Sequence, residues 1–322
     1  MKVGVDVAPL AQTAAGTARH VRGLLAALQG RSGLELEPLT FGASGRVSSV
    51  ARDAWWYPLT LGHVSRRLDL LHCTTFRAPR RPRAPLVVTV HDLALLRHPE
   101  AFPVWHRRSG LVALSSAVRV ATAIVVVSAF TRDELVALVE VPRERIRIVP
   151  NGVDPVFTPV GASAAGDYVL AVSTLEPRKN LGAAVEASRL AGVELRVAGA
   201  RGWGGVDIPG WAGRPSDDEL AALYRGARCV VYPSLYEGFG LPVLEGMACG
   251  TPVVTSSGGA TEEVAGGAAV LVDAGDPAAI ATGIAEASAR RSELVPLGLE
   301  RARGFTWHHA ADLVEKLWRE LT

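Results

Sequence analysis

Lysine is nearly missing from this 322-residue chain: only Lys2, Lys179 and Lys316 stand among its 34 basic residues. Cysteine is almost as scarce. Cys73, Cys229 and Cys249 are odd in number, far apart and without CxxC spacing, which argues against a disulfide framework and a zinc site. No apolar run reaches the roughly 18 residues that a membrane-spanning helix needs. The opening MKVGVDVAPL alternates too regularly for a targeting segment and reads as a first strand. A cytoplasmic protein is therefore expected, touching the inner membrane face peripherally at most. No Asp-x-Asp element stands at a strand end, so no metal is expected. No G-x-G-x-x-G follows residues 2–7, which disfavours a nicotinamide-dependent oxidoreductase.

What is present is an ordinary globular balance, 48% hydrophobic and 20% charged. The length exceeds one hydrophobic core and points to two domains. The small net charge of +2 conceals an asymmetry. Residues 1–150 hold 20 Lys and Arg against 11 Asp and Glu, whereas the remainder holds 14 against 21. A basic first half suits an anionic partner, although arginines scattered on solvated faces give the same count.

Continuous β-branched runs such as LVVTVH and AIVVVS fit strands buried on both faces of a parallel sheet. Strands are expected over 2–7, 34–41, 69–73, 86–91, 123–128 and 145–149, with a helix over 17–28 whose apolar residues recur at helical spacing. After a Pro- and Gly-rich boundary at 150–166 the alternation resumes. Strands are expected over 168–174, 195–199, 229–234, 252–256 and 269–273, and helices over 180–189, 217–224, 242–249, 277–289 and 308–321. Strand alternating with helix predicts an α/β protein of two Rossmann-like, doubly wound domains facing a central cleft. The division expected is residues 1–152, with the helix of 307–322 packing back on them, and residues 153–306.

The stretch YEGFGLPVLE places Glu237 and Glu245 around a glycine-rich turn that opens into a helix at Leu241–Pro242. Proline costs nothing in a first helical turn, and Gly238 and Gly240 let a ligand approach the backbone. The free N–H groups of a helix start attract phosphate. Carboxylates on either side accept hydrogen bonds from hydroxyls. A phosphate site between two hydroxyl acceptors suits a nucleotide sugar. In STLEPRKN, Arg178 and Lys179 stand just after a strand, where two cations can face the same diphosphate. A lysine in so lysine-poor a chain hints that a compact ammonium is wanted there. The bland alternative is a solvated helix start. Ser128 and Thr131 read as helix N-cap candidates. The arginines of FRAPRRPR, with Trp55, Trp56 and Tyr57, fit either an anionic acceptor or membrane surface, or a solvated loop beside a hydrophobic anchor.

Taken together, GFGLPVL between the two glutamates, STLEPRKN, IVPNGVD, GTARHVRGLL, VVTVHDL and FTWHHAADLVEKLW resemble glycosyltransferase family 4, retaining enzymes of GT-B fold, over essentially the whole chain. The nearest likeness is to its mannosyltransferase-like branch. The resemblance implies roles residue by residue. Glu237 would bind hydroxyls of the transferred sugar and Glu245 those of the ribose, with the backbone of Gly238, Phe239, Gly240 and Leu241 facing sugar and phosphate. Lys179 and Arg178 would clamp the diphosphate. His91 would lie under the donor sugar near the reacting carbon, and Gly16 would approach the diphosphate from the first domain. Two departures stand out. Ala14–Ala15 replaces a paired glycine, and Ser173–Thr174 replaces a Gly-Arg pair.

The activity implied is transfer of a hexose, mannose favoured, from a nucleoside diphosphate sugar to an acceptor hydroxyl with retention, in polysaccharide, glycolipid or lipid-linked glycan synthesis. No cofactor is implied. GDP-mannose is the favoured donor and UDP- or dTDP-sugars are the alternatives. The acceptor is a glycan, a lipid-linked glycan or a small molecule, and nucleic acid is not a partner. A nucleotide-sugar 2-epimerase of the same fold would isomerise the donor without an acceptor, and a non-catalytic sugar-binding module would bind without turnover.

Overall fold

The structure is a computed structural model that describes residues 1–12, 16–42, 45–202 and 208–322. The chain divides into two compact units, Met1–Gly152 with Trp307–Thr322, and Val153–Thr306. The first holds six strands: β1 Lys2–Asp6, β2 Glu35–Leu39, β3 Leu70–Cys73, β4 Leu86–Val90, β5 Ala123–Val126 and β6 Ile146–Ile148. They form one parallel sheet in the order β2-β1-β3-β4-β5-β6. The second unit holds β7 Tyr168–Val172, β8 Glu194–Ala198, β9 Val230–Tyr232, β10 Val253–Ser256 and β11 Val270–Val272, parallel in the order β11-β10-β9-β7-β8.

The strands follow from composition. Every residue of β4 (LVVTV) and β5 (AIVV) is buried, as expected where helices cover both faces of a parallel sheet. Both sheets are doubly wound. In the first, the chain runs from β1 outward to β2 and then returns to β3 on the other side. In the second, it runs from β7 to β8 and returns to β9. The strand order therefore reverses between β1 and β3, and between β7 and β9. In open α/β sheets, ligands bind outside the carboxyl ends of strands at such points.

The Trp307–Leu321 helix belongs to the first unit's core. Trp307, Ala310, Val314, Leu317 and Trp318 pack with Leu24 and Leu28 of the Gly16–Leu28 helix and with Val3 and Val5 of β1. Glycine permits this closeness. A Cβ on Gly23 would lie 2.2 Å from Cε2 of Trp307. Alanine in a helix interior normally gains about 1 kcal/mol over glycine, but overpacking a core costs about 1–3 kcal/mol or more. Because the clash is with a buried indole, we expect Gly23→Ala to lower stability by about 2 kcal/mol in urea unfolding. An unchanged or higher midpoint would show that the two helices are not packed in this way.

Several helices have weaker sequence signals than those expected above. Arg52–Thr60 is a π-helical segment with Pro58 inside it, and Arg291–Arg303 is an α-helix carrying Pro296. Val104–Val120 and Ala260–Ala265 are also helical. Ser128 is the N-cap of Ala129–Val139, its hydroxyl accepting from the Thr131 N–H at 3.0 Å, so Thr131 sits inside the first turn and does not cap it. Among the described residues, no helix is long and apolar enough to cross a membrane.

Candidate functional site

The second unit gathers its polar residues where its strand order reverses. After β7 the chain makes a short 3-10 turn, Pro177–Lys179, and Asn180 takes a left-handed conformation (φ 54°) before the Leu181–Ala191 helix. After β9 it runs through Ser234–Gly240 into the Leu241–Ala248 helix. The two loops are tied together: the Leu235 N–H donates to the Arg178 carbonyl at 2.9 Å, and the Ser234 hydroxyl oxygen lies 3.2 Å from the same carbonyl. Gly240 is required for the entry into the helix. Its φ is 109°, and a Cβ there would lie 3.0 Å from Cγ2 of Thr261.

Lys179, Arg178 and Glu237 meet in this place as one cluster. Oε1 of Glu237 accepts from the Tyr232 hydroxyl at 2.8 Å, from the Ser234 hydroxyl at 2.6 Å and from the Lys179 ammonium. Oε2 accepts from Nη1 of Arg178 at 3.2 Å, while Nε of Arg178 donates to Glu176 at 3.1 Å. The Lys179 ammonium also donates to Tyr232 at 3.2 Å. Sequence reasoning gave the cations to a diphosphate and the carboxylate to a hydroxyl, as separate contacts. The structure joins them in a buried group whose two positive and two negative charges cancel.

The cluster fixes protonation. Burial would raise the Glu237 carboxyl, but Lys179 and Arg178 beside it, with hydrogen bonds from Lys179 and Ser234, bring it down to about 2. Glu237 is therefore an acceptor at any physiological pH and cannot act as a general acid. Burial lowers the Lys179 ammonium against the opposing pull of Glu237. Burial also raises Glu176, which Arg178 counteracts. Among the described residues, Oε2 of Glu237 accepts one hydrogen bond and Oε1 three, so the remaining capacity lies on Oε2.

Glu245 is buried one turn into the Leu241–Ala248 helix, where its Oε2 accepts from the Tyr224 hydroxyl at 2.8 Å. Gly238, Phe239 and Leu241 are buried, and the Phe239 ring meets Phe305 edge to face at 5.9 Å. Trp211 donates its indole N–H to the Gly199 carbonyl at 3.0 Å, with the Arg201 guanidinium over its ring.

His91 and Gly16 belong to the first unit. Gly16 begins the Gly16–Leu28 helix, and Ala14–Ala15 lies outside the described residues. His91 stands just past β4. Its Nε2 lies 2.9 Å from the Thr74 carbonyl, an oxygen that only accepts, so Nε2 carries the proton and Nδ1 the lone pair. Burial lowers its pKa to about 4. Two further buried histidines, not singled out from the sequence, lie beside it. The His20 ring meets His91 edge to face at 4.8 Å, with Nδ1 of His20 2.7 Å from Oδ1 of Asn151. His72 binds the Thr89 hydroxyl at 2.9 Å. The only sequence signal for His20 was its place on the buried stripe of GTARHVRGLL.

Residues 14–157 match the family model described as Glycosyltransferase Family 4, and residues 167–289 match the one described as Glycosyl transferases group 1. The chain is 32% identical over 272 residues to the O-antigen chain mannosyltransferase B of Escherichia coli, covering 74% of this chain and 71% of that protein. It is 30% identical over 308 residues to the D-inositol 3-phosphate glycosyltransferase of Frankia alni, covering 80% and 75%. Among solved structures it resembles sucrose-phosphate synthase from Thermosynechococcus elongatus (TM-score 0.77, 19% identity, covering 99% of this chain and 98% of that one). It also resembles Anabaena HepE in complex with UDP and glucose (TM-score 0.74, 17% identity, covering 100% of both chains). The chain belongs to glycosyltransferase family 4, a glycosyltransferase with the GT-B fold.

Proposed function

We propose that the protein transfers a hexose, with mannose favoured, from a nucleoside diphosphate sugar to an acceptor hydroxyl with retention of anomeric configuration. The observation that carries this reading is the cluster at the carboxyl ends of β7 and β9, where an ionised Glu237, Lys179 and Arg178 precede the glycine-opened helix that bears Glu245. Glu237 accepts from hydroxyls of the transferred sugar, and Glu245 from those of the ribose. The ammonium of Lys179 and the guanidinium of Arg178 turn to the departing diphosphate, stabilising charge as the glycosidic bond breaks. The diphosphate itself takes the acceptor's proton, so no protein general base is assigned. His91, neutral and with Nδ1 as acceptor, serves the donor sugar near its reacting carbon, and Gly16 the diphosphate.

Mannose is favoured because the O-antigen chain mannosyltransferase B and the serotype-specific mannosyltransferase WbdA of Escherichia coli are both relatives. That makes GDP-mannose the first donor to try. The HepE complex with UDP-glucose keeps UDP-sugars in the panel, and dTDP-sugars complete it. The test incubates the enzyme with each donor and a mixture of glycan and polyol acceptors, and follows the anomeric signals by NMR. A new glycoside with the donor's own anomeric configuration is expected, at least a hundred-fold slower with His91→Ala. An inverted product would overturn retention. Isomerised donor without a glycoside would indicate an epimerase, and His91→Ala turning over like wild type would remove His91 from the site.

A further inference from the structure

Tyr224 is fully buried in the second unit, and its hydroxyl is given to one of the two acids of the candidate site. It stands on the Asp217–Gly226 helix, whose start is fixed by a reciprocal cap. There the Ser216 N–H donates to Oε2 of Glu219 at 2.8 Å and the Glu219 N–H to the Ser216 hydroxyl at 3.3 Å. The Tyr224 ring meets Phe157 edge to face at 5.7 Å. Its carbonyl accepts from the Thr251 hydroxyl at 2.6 Å, and Thr251 comes just past the Leu241–Ala248 helix that bears Glu245. Anchored in this way at its ring and its backbone, Tyr224 donates to Oε2 of Glu245 at 2.8 Å, from one helix to the other.

Packing alone does not explain this pair. The other buried positions of the Leu241–Ala248 helix are Leu241, Val243, Leu244, Gly246 and Met247, all without polar side chains. A carboxylate taken out of water among them is costly, and an apolar residue of similar volume often serves stability better. A buried tyrosine hydroxyl needs a partner, but a backbone carbonyl suffices. Tyr168, equally buried, donates to the Leu223 carbonyl at 2.7 Å. The acid is therefore explained by a ligand, and the phenol by the acid. A carboxylate that accepts from two neighbouring hydroxyls must keep its plane. The last torsion of a glutamate has only a broad, roughly two-fold preference, so a neighbour has to set it.

We propose that Tyr224 is a positioning residue: by fixing the Glu245 carboxylate it makes the site select ribonucleoside over 2′-deoxyribonucleoside diphosphates. The proposal rests on the reading of Glu245 as the acceptor for ribose hydroxyls. The test titrates GDP, UDP, 2′-deoxy-GDP and 2′-deoxy-UDP calorimetrically into wild type, Tyr224→Phe and Glu245→Gln. Phe keeps the ring against Phe157, and the loss of one hydrogen bond leaves the fold standing. The quantity read is the ratio of ribo to deoxy affinity within one protein. A partly unfolded sample weakens both alike and leaves that ratio where it was. Wild type is expected to favour the ribo form by about ten- to a hundred-fold, as one hydrogen bond to a charged group provides. In Tyr224→Phe the preference should fall to about three-fold or less, with the deoxy affinity within about two-fold of wild type. A merely structural tyrosine would lower both affinities and spare the ratio. A ratio as large in Tyr224→Phe as in wild type, with the preference lost in Glu245→Gln, overturns the proposal alone. Equal ribo and deoxy affinities in wild type, or no binding of any of the four, overturn it together with the ribose role of Glu245.

Discussion

Lys179→Ala is expected to lower the rate of glycosyl transfer by about a hundred- to a thousand-fold and to lower stability by about 3 kcal/mol. The two losses have different origins. Lys179 is buried and hydrogen-bonded to Glu237 and Tyr232. Removing its ammonium leaves a carboxylate out of water with Arg178 as its remaining cation, and a broken buried pair costs about 3–5 kcal/mol. The expected rate loss follows from the proposed role of Lys179, a charge facing the diphosphate. The double variant Lys179→Met/Glu237→Gln separates the two. With both charges gone, most of the stability should return, within about 1 kcal/mol of wild type, while transfer stays at the level of the single variant or below. Calorimetric unfolding and an initial-rate assay on the three proteins decide it. Recovery of transfer in the double variant would make the pair purely architectural.

Acidification from pH 7 to 5 should lower the stability of the first unit by on the order of 4 kcal/mol. Burial holds His20 and His72 at about 3 and His91 at about 4, against an ordinary value of 6.5. A histidine with a depressed folded value contributes stability above pH 6.5 and loses it as pH falls toward 3–4, because the unfolded chain takes up the proton first. By pH 5 this amounts to about 2 kcal/mol for each ring. Asp6 works the other way. Burial raises it to about 6, so its protonation below that pH favours the folded state, by about 1 kcal/mol at pH 5. The three histidines win. Among the described residues, Nδ1 of His72 and Nε2 of His20 have no hydrogen-bond partner, so protonation there would also bury an unpaired charge. A melting temperature that stays level from pH 7 to 5, or imidazole proton resonances that titrate near 6.5, would contradict this. Glu237, held at about 2, loses its contribution only below its ordinary range, so the second unit should outlast the first in acid.

The strands were legible because buried parallel strands write continuous β-branched runs, and LVVTV and AIVV can be little else. The capped or strongly amphipathic helices were legible for a similar reason: periodicity needs only the chain itself. Arg52–Thr60 and Arg291–Arg303 were not, because a proline inside each argues locally for a break, and tertiary packing overrides it. The candidate site was partly legible. Glu237, Glu245, Lys179 and Arg178 could be picked out as residue types beside a glycine-rich helix start. That Lys179 and Glu237 bind each other could not, since 58 residues separate them and the contact depends on β7 and β9 lying side by side. The histidine group was hidden for the same reason, as His20, His72 and His91 come from three elements and no local pattern joins them.

The central proposal is that a nucleoside diphosphate sits at the carboxyl ends of β7 and β9. Calorimetric titration of GDP and UDP into wild type and Glu245→Gln tests it most directly, because Gln keeps the shape and can still accept from Tyr224 but lacks the charge that we propose for two ribose hydroxyls. Wild type should bind at least one of the two nucleotides, and Glu245→Gln should bind it about ten- to a hundred-fold more weakly with an unchanged melting temperature. Equal affinity for the two proteins, or no heat from either nucleotide with wild type, would contradict it.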